Sequence, residues 1–469
     1  MASAAEDTIM STDIDTDTTN DEILLAATNH DLDALRTLFK TGSARIKDPD
    51  TGFSPLHAAI AACEADEDLN EDSSMNGEGD AIHSDALGEE SALATVQLLF
   101  ENGAIWNELD NNDETPGCMA IRLGLKKVYD VIVAAGVRAE LLFGRLDAYQ
   151  LLAGGDDEDE EDDGEGDDDA IDGFEPTPSG PAPGADASEA SGSATAQTAE
   201  GLSGFDPVPN PSYKVENASG ENAGQGVPEV IQTDEAGQQT TAESGLSNPN
   251  VNNEDYLRSK LTYSEGRLLD SDKNAVMMDW ETEIMKASAD QLCTGPGLRT
   301  MNIGFGMGIV DSMFLANNPS MHHIIEAHPA VISRMKEKGW FEKPNVTVHQ
   351  GRWQDILPGL IKQGVVLDAM YYDTYAEDYK DLKELFQEYV VGLLDANGKF
   401  GFYNGLGADR QVCYDVYTKV VELDLFDAGL DVEWSTLAVP DLAHAWDGIR
   451  RPYWVVDTYR LPTCHFVKS

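Results

Sequence analysis

Three observations predict an α/β domain with a parallel sheet, standing behind an all-α repeat segment and a disordered acidic linker. Over residues 254–469, strand-like and helix-like stretches alternate. Over residues 21–152, amphipathic helices end in glycines, two of which lie 33 residues apart. Between these zones, residues 153–253 hold acids and small polar residues with few aromatic or branched apolar side chains. The 469-residue chain is long enough for two or three domains, because one core rarely organises more than about 250–300 residues.

The helical zone shows its repeat in three segments. LRTLFKTG ends at Gly42, VQLLFENG at Gly103 and YDVIVAAG at Gly136, and glycine is the residue best able to take a left-handed helix cap. The 33-residue step from Gly103 to Gly136 is the ankyrin period. The 61 residues from Gly42 to Gly103 are that period plus 28, which places an acidic insertion at about 64–90. Pro55 in TGFSPLHAAI and Pro116 in DETPGCMAIRLG each follow a terminal glycine by 13 residues. Both resemble the ankyrin T-P-L-H-x-A turn, although Gly117 and Cys118 stand where Leu and His are usual. His57 is read as a structural hydrogen-bonding residue of that turn. Such repeats form a protein-binding concave surface or a helical cap beside a catalytic domain, and both readings stay open.

The linker opens with GGDDEDEEDDGEGDDD and cannot bury enough apolar surface to offset chain entropy. It carries much of a formal net charge of −55, from 31 Lys+Arg and 86 Asp+Glu. Residues 251–469 contribute only 32 acids against 21 bases. So acidic a chain repels nucleic-acid phosphates. The acid run is a solvated spacer or a dock for a basic partner such as a ribosomal protein or histone. No apolar run reaches the length of about 18 residues that a membrane span needs. Residues 1–20 are acidic and polar, are expected to be disordered, and resemble neither a secretory signal nor a transit peptide. Five scattered cysteines without a CxxC argue for a reducing compartment and against a zinc site or disulfide framework.

The third zone carries the chemistry. Strands are expected at 298–305, 323–326, 346–349, 367–373 and 399–404, with helices from 309, at 329–339, 379–394 and 412–423. Two β-rich stretches, 432–439 and 453–460, close the zone and are expected as an antiparallel edge. Alternating strands and helices make right-handed βαβ units. The arrangement resembles the Rossmann-like seven-stranded sheet of class I AdoMet-dependent methyltransferases.

Four motifs fall at the carboxyl ends of those strands, where open α/β sheets bind ligands. NIGFGMGIV, residues 302–310, is a strand, a Gly-rich turn and a helix start, and such a turn lets backbone approach a ligand closely. Glu326 in HIIEAHP, 22 residues after Gly304, suits the two hydroxyls of a ribose. GRWQDI, 351–356, offers an aromatic and an amide for adenine. Asp373 ends the next strand in MYYDTYAED. Upstream, VMMDWETEIM, 276–285, reads as a helix with Met277, Glu281 and Met285 on one face. His322, His323 and His328 are read as packing and cofactor-lining residues, with no metal, because neighbouring strand residues point apart. RRPYW, 450–454, is read as part of an edge strand.

VMMDWETEIM, NIGFGMG, IIEAHP, GRWQDILP and YYDTYAED resemble, in order and spacing, the guanidinoacetate methyltransferases. With ankyrin-like repeats in front, the chain is similar to the fungal type IV protein arginine methyltransferases, which methylate the internal δ nitrogen of arginine. The resemblance implies S-adenosyl-L-methionine against Phe305, Gly306, Met307, Gly308, Ile309 and Val310, with Glu326 on the ribose. It puts Ala327 and His328 beside the nucleoside, Trp353 and Gln354 near adenine, Met277 or Met285 at the sulfonium, and Tyr256 folded over the cofactor. Gln354 stands where the small-molecule enzyme has an acid. Glu281 and Asp373 match the carboxylates that bind the guanidino group. Two carboxylates suit that planar cation, since they can accept its N–H groups in a bidentate fork. The resemblance implies a protein substrate, a large-subunit ribosomal protein, and a cytoplasmic and nuclear address; a monomer is expected. The rival readings are a small-molecule guanidino methyltransferase and a non-catalytic adaptor.

Overall fold

The computed structural model describes residues 18–64, 81–153 and 252–468, without the side chains of 81–87 and 146–153. Most of the expected linker, and the first 17 residues, lie outside the described residues. The described residues up to Leu146 and from 252 onward form one compact unit, and a second unit is described only in residues 147–153.

The repeat segment is three helix pairs: α1 (Thr19–Thr28) with α2 (Leu32–Leu38), α3 (Pro55–Ala61) with α4 (Ala81–Glu101), and α5 (Pro116–Arg122) with α6 (Lys126–Ala153). The starts follow from local chemistry. Asp31 caps α2 by accepting from the Ala34 N–H at 3.0 Å. Pro55 and Pro116 open α3 and α5, where a missing N–H costs nothing. His57 Nδ1 accepts from the Ser54 N–H at 3.2 Å, and its Nε2 lies 3.1 Å from the Glu114 carbonyl of the next repeat. Gly103 takes a left-handed φ of 84° just after α4, as expected.

Gly136 departs from expectation. It does not end a helix; α6 runs through it to Ala153. A Cβ there would lie 2.7 Å from Val416 Cγ2 and 2.9 Å from the Trp106 ring. Close packing, not capping, demands this glycine. Gly117 has the same reason, since its Cβ would lie 2.5 Å from Val412 Cγ2. The missing Leu of the second repeat turn is thus room for a helix of the catalytic segment.

That segment opens with α7 (Asn253–Arg258) and a small antiparallel sheet of β1 (Thr262–Ser264), β2 (Arg267–Leu269) and β3 (Ala275–Met278). There follow α8 (Thr282–Leu292), β4 (Arg299–Ile303), α9 (Ile309–Ala316), β5 (Met321–Glu326), α10 (Pro329–Glu337), β6 (Val346–Gln350), α11 (Trp353–Lys362) and β7 (Leu367–Tyr372). Next, α12 (Tyr379–Glu384) continues through a π turn, Leu385–Val390, into α13 (Val391–Leu393). The remainder is β8 (Leu394–Phe402), α14 (Gln411–Asp427), β9 (Leu430–Ala438) and β10 (Thr458–Phe466).

Seven strands form one sheet in the order β6-β5-β4-β7-β8-β10-β9. β6, β5, β4, β7 and β8 pair in parallel, and β10 is antiparallel to both β8 and β9. The order reverses at β4, so β4 and β5 on one side and β7 on the other open a crevice at their carboxyl ends. This is the class I methyltransferase sheet. Two expectations need correction. The antiparallel pair exists, but its second strand starts at Thr458, not 453, and lies inside the sheet, leaving β9 at the edge. The expected helix at 276–285 is a strand to Met278, a 3-10 turn Asp279–Glu281 and only then a helix.

α14 belongs to two cores. Val421 and Leu425 pack with the sheet residues Phe400 and Phe402. Val412, Val416 and Val420 join the repeat residues Leu56, Leu99, Trp106 and Ile132. Polar contacts flank that seam: the Tyr129 hydroxyl donates to Asp415, and Tyr417 donates to Glu140 at 3.1 Å.

Candidate active site

β4 delivers the Gly-rich turn, and a buried network holds it. Asn302 Nδ2 donates to the Gly304 carbonyl at 2.7 Å and to Asp311 Oδ2 at 2.9 Å. Asp311 Oδ1 lies 3.0 Å from His322 Nε2, whose Nδ1 lies 2.7 Å from Thr300 Oγ1. His323 points the other way, with Nδ1 2.9 Å from His349 Nε2. Among the described residues no cluster of three or more His, Cys, Asp or Glu could hold a metal.

Glycine is required in the turn by contact as much as by φ. At Gly304, φ 92°, a Cβ would lie 1.9 Å from the Asp373 carbonyl oxygen. At Gly306, φ 54°, it would lie 2.7 Å from Met277 Cε. Side chains there would push β4 off β7 and fill the crevice.

Glu326 is buried at the end of β5. Its Oε2 accepts from the Phe305 N–H at 2.9 Å and its Oε1 from the His328 N–H at 2.7 Å. Burial raises its pKa, and those backbone N–H groups oppose the rise. Both oxygens keep lone pairs for further donors.

The crevice is a pocket open to solvent. Tyr256, Met277, Gly306, Glu326, Ala327, Trp353 and Asp373 line it together. Tyr256 comes from α7, its ring 4.8 Å from His328 and 4.9 Å from Tyr375. Other expected residues lie off the pocket wall. Met285 and Val310 pack in one apolar cluster with Met277, and Ile309 packs against it. The Phe305 ring stands edge-on to Trp340 at 4.9 Å. Gly308 is the N-cap of α9, and the Met307 N–H donates to Met277 Sδ at 3.3 Å. His328 supports Tyr256, with Nε2 3.1 Å from its carbonyl. Gln354 is not among the lining residues, and its Oε1 is buried without a hydrogen-bond partner. Sequence reasoning missed Arg352, Tyr375 and Glu377, which also line the pocket. Glu377 accepts the Trp353 Nε1–H at 3.0 Å, so that indole edge is already engaged.

Asp373 joins this pocket to a second, buried feature. Its Oδ2 is buried with no hydrogen-bond partner. Its pKa is raised well above the carboxylate range, first by burial and then by the charge of Glu281. Glu281 is 5% exposed. Its Oε2 accepts from the Met278 N–H at 3.0 Å and its Oε1 from the Tyr453 hydroxyl at 2.7 Å. Burial raises its pKa too, against those two hydrogen bonds. Tyr371 is buried and Tyr403 half-buried, and the charges of both acids raise their phenol pKa values beyond the effect of desolvation. Tyr453 lies 172 positions after Glu281, in RRPYW, which is a loop and not an edge strand.

The family model of guanidinoacetate N-methyltransferase matches residues 260–422. Protein arginine N-methyltransferase 2 of Aspergillus fumigatus is 49% identical over 459 residues, covering 96% of this chain and 97% of that protein. Its namesake in Emericella nidulans is 49% identical over 465 residues, covering 97% and 99%. This chain belongs to the fungal protein arginine N-methyltransferase 2 family. Among solved structures, the O-methyltransferase TomG from Streptomyces achromogenes, in complex with SAM, is 16% identical over 40% of this chain and 80% of that chain, with a TM-score of 0.30. The fold assignment rests on the strand order, not on that likeness.

The cofactor of this family's fold is S-adenosyl-L-methionine, and the pocket residues fit it. The glycine cradle leaves room that a Cβ would fill, Glu326 can accept hydroxyls, and Tyr256 and Trp353 present aromatic surface. Burial opposes the charge of both Glu281 and Asp373, a cost that a bound cation would lower.

Proposed function

We propose that this chain is an arginine N-methyltransferase that methylates the δ nitrogen of an arginine in a protein, with a large-subunit ribosomal protein as substrate. One observation carries the reading: Asp373, in the wall of the cofactor pocket, has a buried and unpaired Oδ2, and the charge of buried Glu281 acts on it. A guanidinium has the planar N–H fork to satisfy both acids, and lysine does not.

When bound, S-adenosyl-L-methionine supplies an electrophilic methyl group. Glu326 and the glycine turn would hold it, and Tyr256 would cover it. Glu281 and Asp373 hold the guanidinium so that its internal nitrogen faces the methyl, which turns a bimolecular encounter into a positioned one. They also draw positive charge away from that nitrogen, whose lone pair is otherwise delocalised. Transfer would break the methyl's bond to sulfur as its bond to nitrogen forms, the sulfur leaving as a neutral thioether, and the N–H proton would go to the acid pair, with Asp373 Oδ2 as the open acceptor.

The repeats and the size of the chain support a protein substrate. The match to guanidinoacetate N-methyltransferase supports a second reading, a small guanidino compound. We also propose that the enzyme acts as a monomer, in cytoplasm and nucleus, and that the repeats contact protein partners. The test is transfer of labelled methyl to ribosomal proteins from cells lacking the enzyme, with guanidinoacetate in parallel, followed by acid hydrolysis and mass spectrometry. Label on the δ nitrogen of a protein arginine is expected. Label on guanidinoacetate alone would replace the first reading with the second.

A further inference from the structure

The acid pair is completed by a residue from the far end of the domain. The loop between β9 and β10 is closed at its base by the Val439 N–H donating to the Asp457 carbonyl at 2.9 Å. Three more contacts anchor it to the rest of the domain. The Arg450 N–H donates to the Lys273 carbonyl at 3.0 Å, the Val455 N–H to the Ala408 carbonyl at 2.8 Å, and Arg451 to Asp409 Oδ2 at 3.0 Å. The ring of Tyr453 stands edge-on to Trp446 at 4.8 Å and tilted to Trp280 at 6.0 Å. Two tryptophans therefore fix where its hydroxyl points. Phenylalanine would fill the same space, so packing alone does not explain the oxygen.

We propose that Tyr453 is a positioning residue for guanidinium recognition: its hydroxyl and the Met278 N–H each tether one oxygen of Glu281, locking the carboxylate plane toward Asp373. This rests on the guanidinium reading of the acid pair. A carboxylate tethered at one oxygen only rotates about its last bond, and a bidentate fork needs that rotation stopped. The same hydroxyl favours the charged form of Glu281, which a cation requires.

The test uses full-length enzyme with Tyr453→Phe, Glu281→Gln and the double variant. Methyl transfer is followed from labelled S-adenosyl-L-methionine to a purified large-subunit ribosomal protein fraction, across pH 5–9. Tyr453→Phe is expected to lower kcat/KM roughly ten- to a hundredfold, the loss of a hydrogen bond to a charged group. Its acidic limb should move to higher pH, while calorimetric affinity for S-adenosyl-L-methionine stays within about twofold. Added to Glu281→Gln, it should cost little more, because it acts through that residue. Earlier melting with lost cofactor affinity, or an unmoved acidic limb, would mean a packing role and overturn the proposal. So would near-normal activity of Tyr453→Phe beside an inactive Glu281→Gln. A fully active Glu281→Gln would instead bring down the guanidinium reading itself.

Discussion

Asp373 and Glu281 are acids whose burial works against their charge, and this sets two measurable expectations. Asp373→Asn and Glu281→Gln should each lower turnover by about a hundredfold or more, since breaking one side of a buried charge contact costs about 3–5 kcal/mol. Cofactor affinity, read by calorimetry, should be nearly unchanged, whereas Glu326→Ala should weaken it. The second expectation concerns pH. Both acids have raised folded-state pKa values. Above the ordinary carboxylate range the folded chain therefore holds protons that the unfolded chain has released, so stability falls as pH rises toward the raised values. Asp373→Asn removes that loss. The substrate-free variant should melt above the parent at pH 8, and the gap should shrink at pH 5. The sequence exposed Glu326 and Asp373 because strand ends are where such folds bind. It hid Tyr453, which no spacing rule links to Glu281, and Glu377, whose partner Trp353 looked like a free adenine contact.

α7 and β3 show how short elements escape sequence reading. The run AVMM before DWE fits a strand or a helix turn, and only pairing with β2 decides. Met277 still reaches the cofactor pocket, but from a strand beside Gly306. β10 was misjudged for a plainer reason. Its core holds Pro462, opposite Trp434 of β9, and proline argues against an interior strand. YWVVDTYR looked the better strand. Alternation over 298–373 was clear because each parallel strand there is a short apolar run bounded by turn residues. Two outcomes belong to elements. Tyr256→Ala should raise the dissociation constant for S-adenosyl-L-methionine about tenfold, because α7 covers the pocket through that ring. Gly136→Ala should destabilise by about 1–3 kcal/mol, the usual cost of overpacking. Combining it with Val416→Ala should recover part of that loss in thermal melts.

For the molecule as a whole, the repeat segment and the catalytic sheet share α14. The 33-residue period and the acidic excess made the zones legible, but no sequence signal said that they would pack together. The clue was Gly117 where the repeat turn normally carries Leu, a gap that only a neighbouring helix explains. Deleting residues 1–146 would bare Val412, Val416 and Val420. The remainder should aggregate or melt well below the parent, and co-expression with the missing piece should restore it, as static light scattering would read. The sheet order carries a further consequence, for synthesis. A chain emerges from the ribosome amino end first, yet β9 pairs only with β10, which is made after it, and Glu281 waits for Tyr453. Until those last residues are out, β9 has no neighbour and the acid pair lacks its hydroxyl tether. The pocket-lining residues, 253–377, are therefore all synthesised before Tyr453, and the tether on Glu281 is among the later contacts to form.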